Sequence, residues 1–136
     1  MKKSAVLIAL VGMMTLMGGS PLFAQTVSYN FHAPAAFYAG NAKMPAGNYT
    51  LRQSGADVAL FELSNNAGTH SVILETRQSS KTSKGRPEVL FNTYGGTDYL
   101  EAVETSTGNS IDIVPQAAEK LAAKKGSPQP HSVPTA

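Results

Sequence analysis

Short runs in which every second residue is apolar, each cut off by Gly, Asn or Pro, recur along this chain and direct it towards antiparallel β structure. Val27, Tyr29 and Phe31 alternate with Ser28, Asn30 and His32, and Pro34 ends the run because it has no N–H to give to a ladder. A brief Phe37-Tyr38-Ala39 segment precedes Met44-Pro45-Ala46-Gly47. There Pro fixes φ and Gly is free to take positive φ, so a turn is predicted that leads into a strand over 48–53. Two further strands, over 58–64 and 70–76, flank the polar loop Asn65-Asn66-Ala67-Gly68-Thr69. Leu60 beside Phe61, and Ile73 beside Leu74, set apolar residues on both faces of that pair, which predicts a central position covered on both sides. Residues 78–87, rich in Ser and Lys, are predicted to be irregular.

The clearest hairpin spans 88–94 and 98–105 around Gly95-Gly96, because a two-residue turn needs positive φ at its centre. That register sets Tyr94 opposite Thr97, Phe91 opposite Leu100 and Val89 opposite Ala102, with the apolar side chains on one face. A last strand, 110–114, follows the turn at Thr107-Gly108-Asn109. From Pro115 the period changes. Strong helix formers run to Lys125, with Ala117, Ala118, Leu121 and Ala122 as a narrow apolar stripe, Lys124 and Lys125 at the end that favours cations, and Gly126 as a stop. The tail 127–136, with Pro128, Pro130 and Pro134, has little to bury and is expected to be disordered. The expected fold is all-β: seven or eight antiparallel strands as a small barrel or two-layer sandwich, with a short C-terminal helix over 115–125 lying across one end.

The segment Phe37-Tyr38-Ala39-Gly40-Asn41-Ala42-Lys43-Met44-Pro45-Ala46-Gly47-Asn48-Tyr49 resembles the Phe-x-x-Gly-x-x-x-(Leu/Met)-Pro-Ala-Gly-x-Tyr pattern of small exported all-β proteins of acidobacterial type. Val89-Leu90-Phe91-Asn92-Thr93-Tyr94-Gly95 and Tyr99-Leu100-Glu101-Ala102-Val103 look like that group's second hairpin. The resemblance covers most of residues 27–125 and implies a fold closed by a Lys/Ala/Glu-rich helix and a loose tail. Its motifs are turn and core positions, so it implies no activity and no site residues.

The beginning of the chain has the three parts of a secretory signal peptide. Lys2 and Lys3 are followed by an apolar run of 13 residues, Ala5 to Met17, then Gly18-Gly19-Ser20-Pro21 and a small Ala24. The run falls short of the ~20 residues a membrane-crossing helix needs, so cleavage after Ala24 is expected and the mature chain is not membrane-spanning. No cysteine follows the run to carry a lipid. Of 136 residues, 112 would remain, enough for one β domain over 25–126. With no cysteine at all, that domain must be held by packing and sheet hydrogen bonds although export gives access to disulfides. Without Lys2 and Lys3, the 11 basic residues become nine against nine acidic ones. A neutral chain lacks the basic face that nucleic acid requires, and its one basic cluster, Arg77, Lys81, Lys84 and Arg86, reads as a solvated loop.

Chemistry-bearing patterns are sparse. His32, His70 and His131 form no His-x-His or His-x-x-x-His pair, so no metal site is predicted and they read as exposed strand-end residues. Glu101 and Glu104, three apart in a strand, are expected on opposite faces. Glu62 and Glu75 lie on neighbouring strands and are the one pair able to approach, although outward charges that discourage edge pairing explain them as well. No Gly-x-Ser-x-Gly elbow is present, Ser54-Gly55 falls in a turn, and Gly95-Gly96 leads into a strand and not a phosphate-binding helix. No catalytic, cofactor-binding or metal residue is therefore predicted, and no cofactor.

The nine aromatics from Tyr29 to Tyr99 are needed to fill a core, so a filled interior is preferred to a cavity. The sequence supports an exported, non-enzymatic protein of the cell envelope, periplasmic or extracellular. Its role is structural or interaction-based, through an exposed strand edge or the loop 77–86. The alternative is a carrier of a small apolar ligand inside a barrel. Mass spectrometry of the exported protein is expected to give the mass of residues 25–136, and an intact Met1 would remove the signal-peptide reading.

Overall fold

The computed structural model describes residues 27–80 and 86–135. The signal peptide over 1–24, and Lys81 and Lys84 of the basic loop, lie outside the described residues. Alternation organises the strands as it should. In β1 (Ser28–Ala33), β4 (Gly47–Gln53) and β5 (Leu60–Asn65) the buried residues are Phe31 and Ala33, Tyr49 and Leu51, and Phe61 and Leu63. Each pair is spaced by two, so each strand gives one face to the core. Strand β6 (Ser71–Ser80) pairs with β5 through Ser71–Glu75 and then with β9 (Asn109–Ile113) through Thr76–Ser80. It thus turns the corner between the two halves of the sheet. The segment predicted to be irregular contributes Gln78, Ser79 and Ser80 to this second half.

From β9 the sheet continues through β8 (Thr97–Glu104) and β7 (Glu88–Tyr94) to β10 (Gln129–Pro134). Short β2 (Phe37–Ala39) runs parallel to the start of β8, and β3 (Ala42–Met44) closes that edge. The fold is all-β with one short helix, as expected. Among the described residues there are ten strands and not seven or eight, one pairing is parallel, and the sheet is not closed into a barrel. The two ends of the long strip, β1 and β10, lie close together, but the only backbone pairing between them among the described residues is an isolated bridge of Phe31 to Thr135, just past β10.

Four aromatic rings fill the interior. Phe37 meets Tyr49 at 5.1 Å and Phe91 at 5.4 Å, both edge-on, while Phe31 lies 5.8 Å from Tyr49 and 6.2 Å from Phe91. These separations are those of favourable offset and T-shaped pairs. The Tyr49 hydroxyl donates to the Pro45 carbonyl of the turn before β4, so the one polar group of the quartet has a partner. The prediction that β5 and β6 are covered on both sides is corrected. Phe61 and Leu74 are buried, but Ile73 is 52% exposed and Leu60 half-buried, because no layer covers the outer face there.

In the β7–β8 hairpin Gly95 and Gly96 take φ of 55° and 84°, and Tyr94 faces Thr97 and Phe91 faces Leu100, as predicted. Beyond Phe91 a bulge leaves Glu101 as an extra residue, so Leu90 faces Ala102 and Val89 faces Val103, not Ala102. The bulge also cancels the odd spacing that should have separated Glu101 from Glu104. Both now lie on the outer side: Glu104 is opposite Glu88 in the register, and Glu101 sits close enough to the outer helix to act on its charge.

That helix, α1 (Ala117–Lys125), starts two residues later than predicted and is not the end of the chain. Its Ala118 N–H is taken by the Asn41 side chain at 3.0 Å, from the β2–β3 turn, which caps the helix from outside its own sequence. The predicted apolar stripe is only partly covered: Ala118 and Ala122 are half-buried, while Ala117 is exposed and Leu121 remains 58% exposed. Strand β10 replaces the disorder expected of 127–136. It is possible because the prolines stand at alternate positions. Thr135 N–H donates to the Pro87 carbonyl of the β7 side at 3.2 Å, which fixes the parity of the strand. Odd-numbered N–H groups therefore face β7, and Pro130 and Pro134 fall on the other edge, where their missing N–H costs no ladder bond.

A paired substitution separates the two faces of the sheet. Phe61→Ala is expected to cost about 3–5 kcal/mol in urea denaturation. Ile73→Thr, one strand away on the wet face, is expected to stay within about 0.5 kcal/mol. Equal losses would show that the outer face is covered after all.

Candidate functional site

Polar side chains on the outer face of β1, β4 and β5 are spent on one another. Thr50 donates to Asn30 at 2.7 Å, and the His32 ring and the Asn48 amide are 2.8 Å apart. Arg52 binds Glu62 at 3.0 Å, and Ser71 also donates to Glu62 at 3.4 Å. Glu62 and Glu75 do lie on the same face, but as diagonal neighbours: Glu62 is opposite Ile73, and Glu75 opposite Leu60. Arg52 and Ser71 hold Glu62, while Glu75 borders a separate groove of about 470 Å³ with Asn41, Ile73 and Gln116. The structure does not assemble them as an acid/base pair. His70 stays in its loop, with its ring 3.1 Å from the Thr69 hydroxyl. Arg77 lies opposite Asp112 in the β6–β9 ladder and is exposed. Among the described residues no group of three or more His, Asp or Glu side chains is placed to hold a metal ion.

Two clusters do converge, both on the β7–β8 hairpin and both through the C-terminal arm that α1 and β10 form. The first lies at the seam. His131 is opposite Phe91, and their rings stack at 5.3 Å with 13° between planes. Its Nε2 is 3.2 Å from Asp98 Oδ1, and the same oxygen accepts from the Thr93 hydroxyl at 2.6 Å. A tail histidine that sequence alone leaves in solvent thus covers the aromatic quartet. Val133, opposite Val89, packs against the core beside it.

The second cluster lies under α1 on the outer face. Tyr38 stacks on Tyr99 at 5.2 Å, and Tyr94 meets Tyr99 edge-on at 5.6 Å. The Asn92 and Tyr94 side chains hydrogen-bond Glu119 of the helix. Burial pushes the Glu119 carboxyl above its usual range, and the nearby Glu101 charge pushes it further, while the bonds from Asn92 and Tyr94 pull it back. Burial also raises the Tyr94 phenol, helped by Glu119 and Glu101. Beside this cluster a groove of about 370 Å³ runs between the hairpin and the helix, lined by Tyr94, Tyr99, Leu121, Ala122 and Lys125.

Sequence reasoning missed both clusters, and the signal was partly available. His131, Val133 and Thr135 alternate with Pro130, Ser132 and Pro134, which is a period of two, but proline content outweighed it. Glu101 and Glu119 could not be brought together without knowing the bulge and the path of the helix. No protein-family model matches the chain, and no curated protein or solved structure matches it.

The Glu119 shift sets a pH dependence. A carboxyl raised in the folded state stabilises fully below its unfolded value, about 4.3, and loses that contribution as pH rises through the folded value. Glu119→Gln keeps an acceptor for Asn92 and Tyr94 without the charge. Urea midpoints of the wild type should fall behind those of E119Q as pH rises from acid to neutral. A constant difference across that window would show that the ionisation of Glu119 is not linked to folding.

Proposed function

We propose that this chain is an exported, non-enzymatic protein of the cell envelope whose role is structural or interaction-based, its contacts made along the open edge of the sheet. The observation that carries this reading is the unfinished closure between β1 and β10. Val27 accepts from Gln53 of β4, so the odd-numbered backbone groups of β1 face β4 and those of Ser28, Asn30 and His32 face the seam. The bridge of Phe31 to Thr135 sets Pro134 opposite His32 and Pro130 beyond the end of β1, so Ser28 and Asn30 have no ladder partner across the seam among the described residues. Strand backbone left without a full ladder is a template for another chain. The interior supports the same reading, because Phe37 and Phe91 are each 1% exposed and occupy the space that an internal ligand would need. No helix among the described residues is long and apolar enough to cross a membrane.

A second reading, carriage of a small apolar ligand, is favoured by the groove between the hairpin and α1, where Tyr94, Tyr99 and the exposed Leu121 offer apolar surface. That site differs from the barrel interior that sequence reasoning suggested. Native mass spectrometry separates the two, since a carrier should retain an extra mass that denaturation removes.

Cell fractionation tests the main reading. The protein is expected in the periplasm or medium, without residues 1–24. A photo-crosslinker on Asn30→Cys, at the seam, should capture envelope components that the same probe on Ile73→Cys does not. Cytoplasmic protein, or identical capture from both positions, would sink the proposal.

A further inference from the structure

The C-terminal arm leans on the β7–β8 hairpin without being absorbed into the core. No residue of α1 is buried, and within β10 only His131 and Val133 are half-buried. The strand beneath depends on the arm more than the arm depends on it. Val89 and Phe91 are 0% and 1% exposed, and the register sets Val133 and His131 opposite them. Removal of β10 would open an apolar strand edge, the kind of surface that seeks a new partner. Strand β10, by contrast, meets β1 on its other edge only through the bridge of Thr135 to Phe31, and Pro130 and Pro134 offer no N–H there.

The connection to the arm is already extended. Val114 is held to β6 by donating to the Glu75 carbonyl at 2.9 Å, and Pro115 follows it. Gln116 has φ −101° and ψ 179°, so the chain leaves β9 in a straight path and not through a tight turn. Proline also disfavours a helical conformation in the residue before it, which keeps this hinge from folding back closely.

We propose that the outward edge of β7 is a strand-docking site whose occupant is the arm of a second copy of this chain. Two copies exchange residues 115–135 about the hinge at Pro115 and Gln116 and form a reciprocal dimer. The proposal rests on the interaction reading above and names its partner. The fit of the occupant is established by the chain itself, since its own β10 already lies on β7 in a six-residue register, with His131 on Phe91 and against Asp98. Every one of these contacts is reproduced when the arm comes from the other copy. Only the hinge changes path, and mass action then favours the exchanged form at high concentration. Reciprocal exchange leaves the β7 edge of both copies occupied, so the assembly closes at two copies.

The chain has no cysteine, which makes a disulfide trap clean. Leu90 and Ser132 are register partners on the side away from the core. Their parity makes them a non-hydrogen-bonded pair, with Cα atoms about 4.5 Å apart and within disulfide range. Full-length L90C and S132C, on isotopically distinguished chains, are mixed at high concentration, loosened briefly in urea, returned to native conditions and oxidised. The expected product is a heterodimer cross-linked between positions 90 and 132, in at least about tenfold excess over a collision control that pairs S132C with I73C on the far part of the sheet. Adding Val133→Asp to the S132C chain should lower the heterodimer yield by about tenfold, because it sets a carboxylate against Val89. A yield no higher than the control overturns the proposal, and so does a yield that V133D leaves unchanged. The cellular location of the protein and the capture at Asn30 are read independently, so exchange can fail while the envelope reading stands.

Discussion

Packing of Phe31, Phe37, Tyr49 and Phe91 against one another is the constraint on which the rest of the molecule depends. The four rings come from the adjacent strands β1 and β4 at one end of the sheet and from β2 and β7, both paired with β8, at the other, and they meet because the sheet curls over them. Without a cysteine there is no covalent substitute for this contact. Curling is helped by two local devices. Strand β6 changes partners halfway along, and the bulge at Glu101 bends β8 where Leu100 and Val103 must both face inward. The quartet needs a cover on its open side, and His131 of β10 supplies part of it.

The arm is therefore both a lid on the core and the most lightly held part of the described structure. Its helix is attached through a cap from Asn41 and through Glu119, a carboxyl whose charge is disfavoured by burial and by Glu101. Its strand has a full ladder on one edge only. Prolines at positions 130 and 134 leave in place every N–H that β10 gives to β7, while the register of the Phe31–Thr135 bridge overlaps β1 with only the end of the tail, so the sheet stays open. An open seam and a lightly held arm are the two features on which the proposed contact through strand backbone rests.

Much of the fold was legible in the chain, and the reasons for the exceptions are specific. The two-residue turn at Gly95-Gly96 and the facing of Phe91 and Leu100 follow from local rules, because positive φ and alternation act over a few residues. Val89 was assigned the wrong partner because a bulge inserts one residue and shifts everything beyond it. Leu60 and Ile73 suggested a doubly covered strand, yet apolar residues on two faces show what a strand could bury and not what lies above it. Neither cluster at the candidate site was legible, since Asp98 with His131 and Glu101 with Glu119 join residues that only β7–β8 and the arm bring together.

By itself, the sequence determined an all-β domain, the places where its turns fall, a helix within 115–125 and a core built from aromatics. These follow from periods of two and 3.6 and from the backbone limits of Gly and Pro, which need no distant partner. Only the tertiary structure decided that the tail is a strand, that the two ends of the sheet meet at no more than one bridge, and that α1 is held through the Glu119 carboxyl with Leu121 left exposed. Each of those outcomes depends on which edge of a strand meets which neighbour. That parity is set by register across the whole sheet and cannot be read from residues next to one another in the chain.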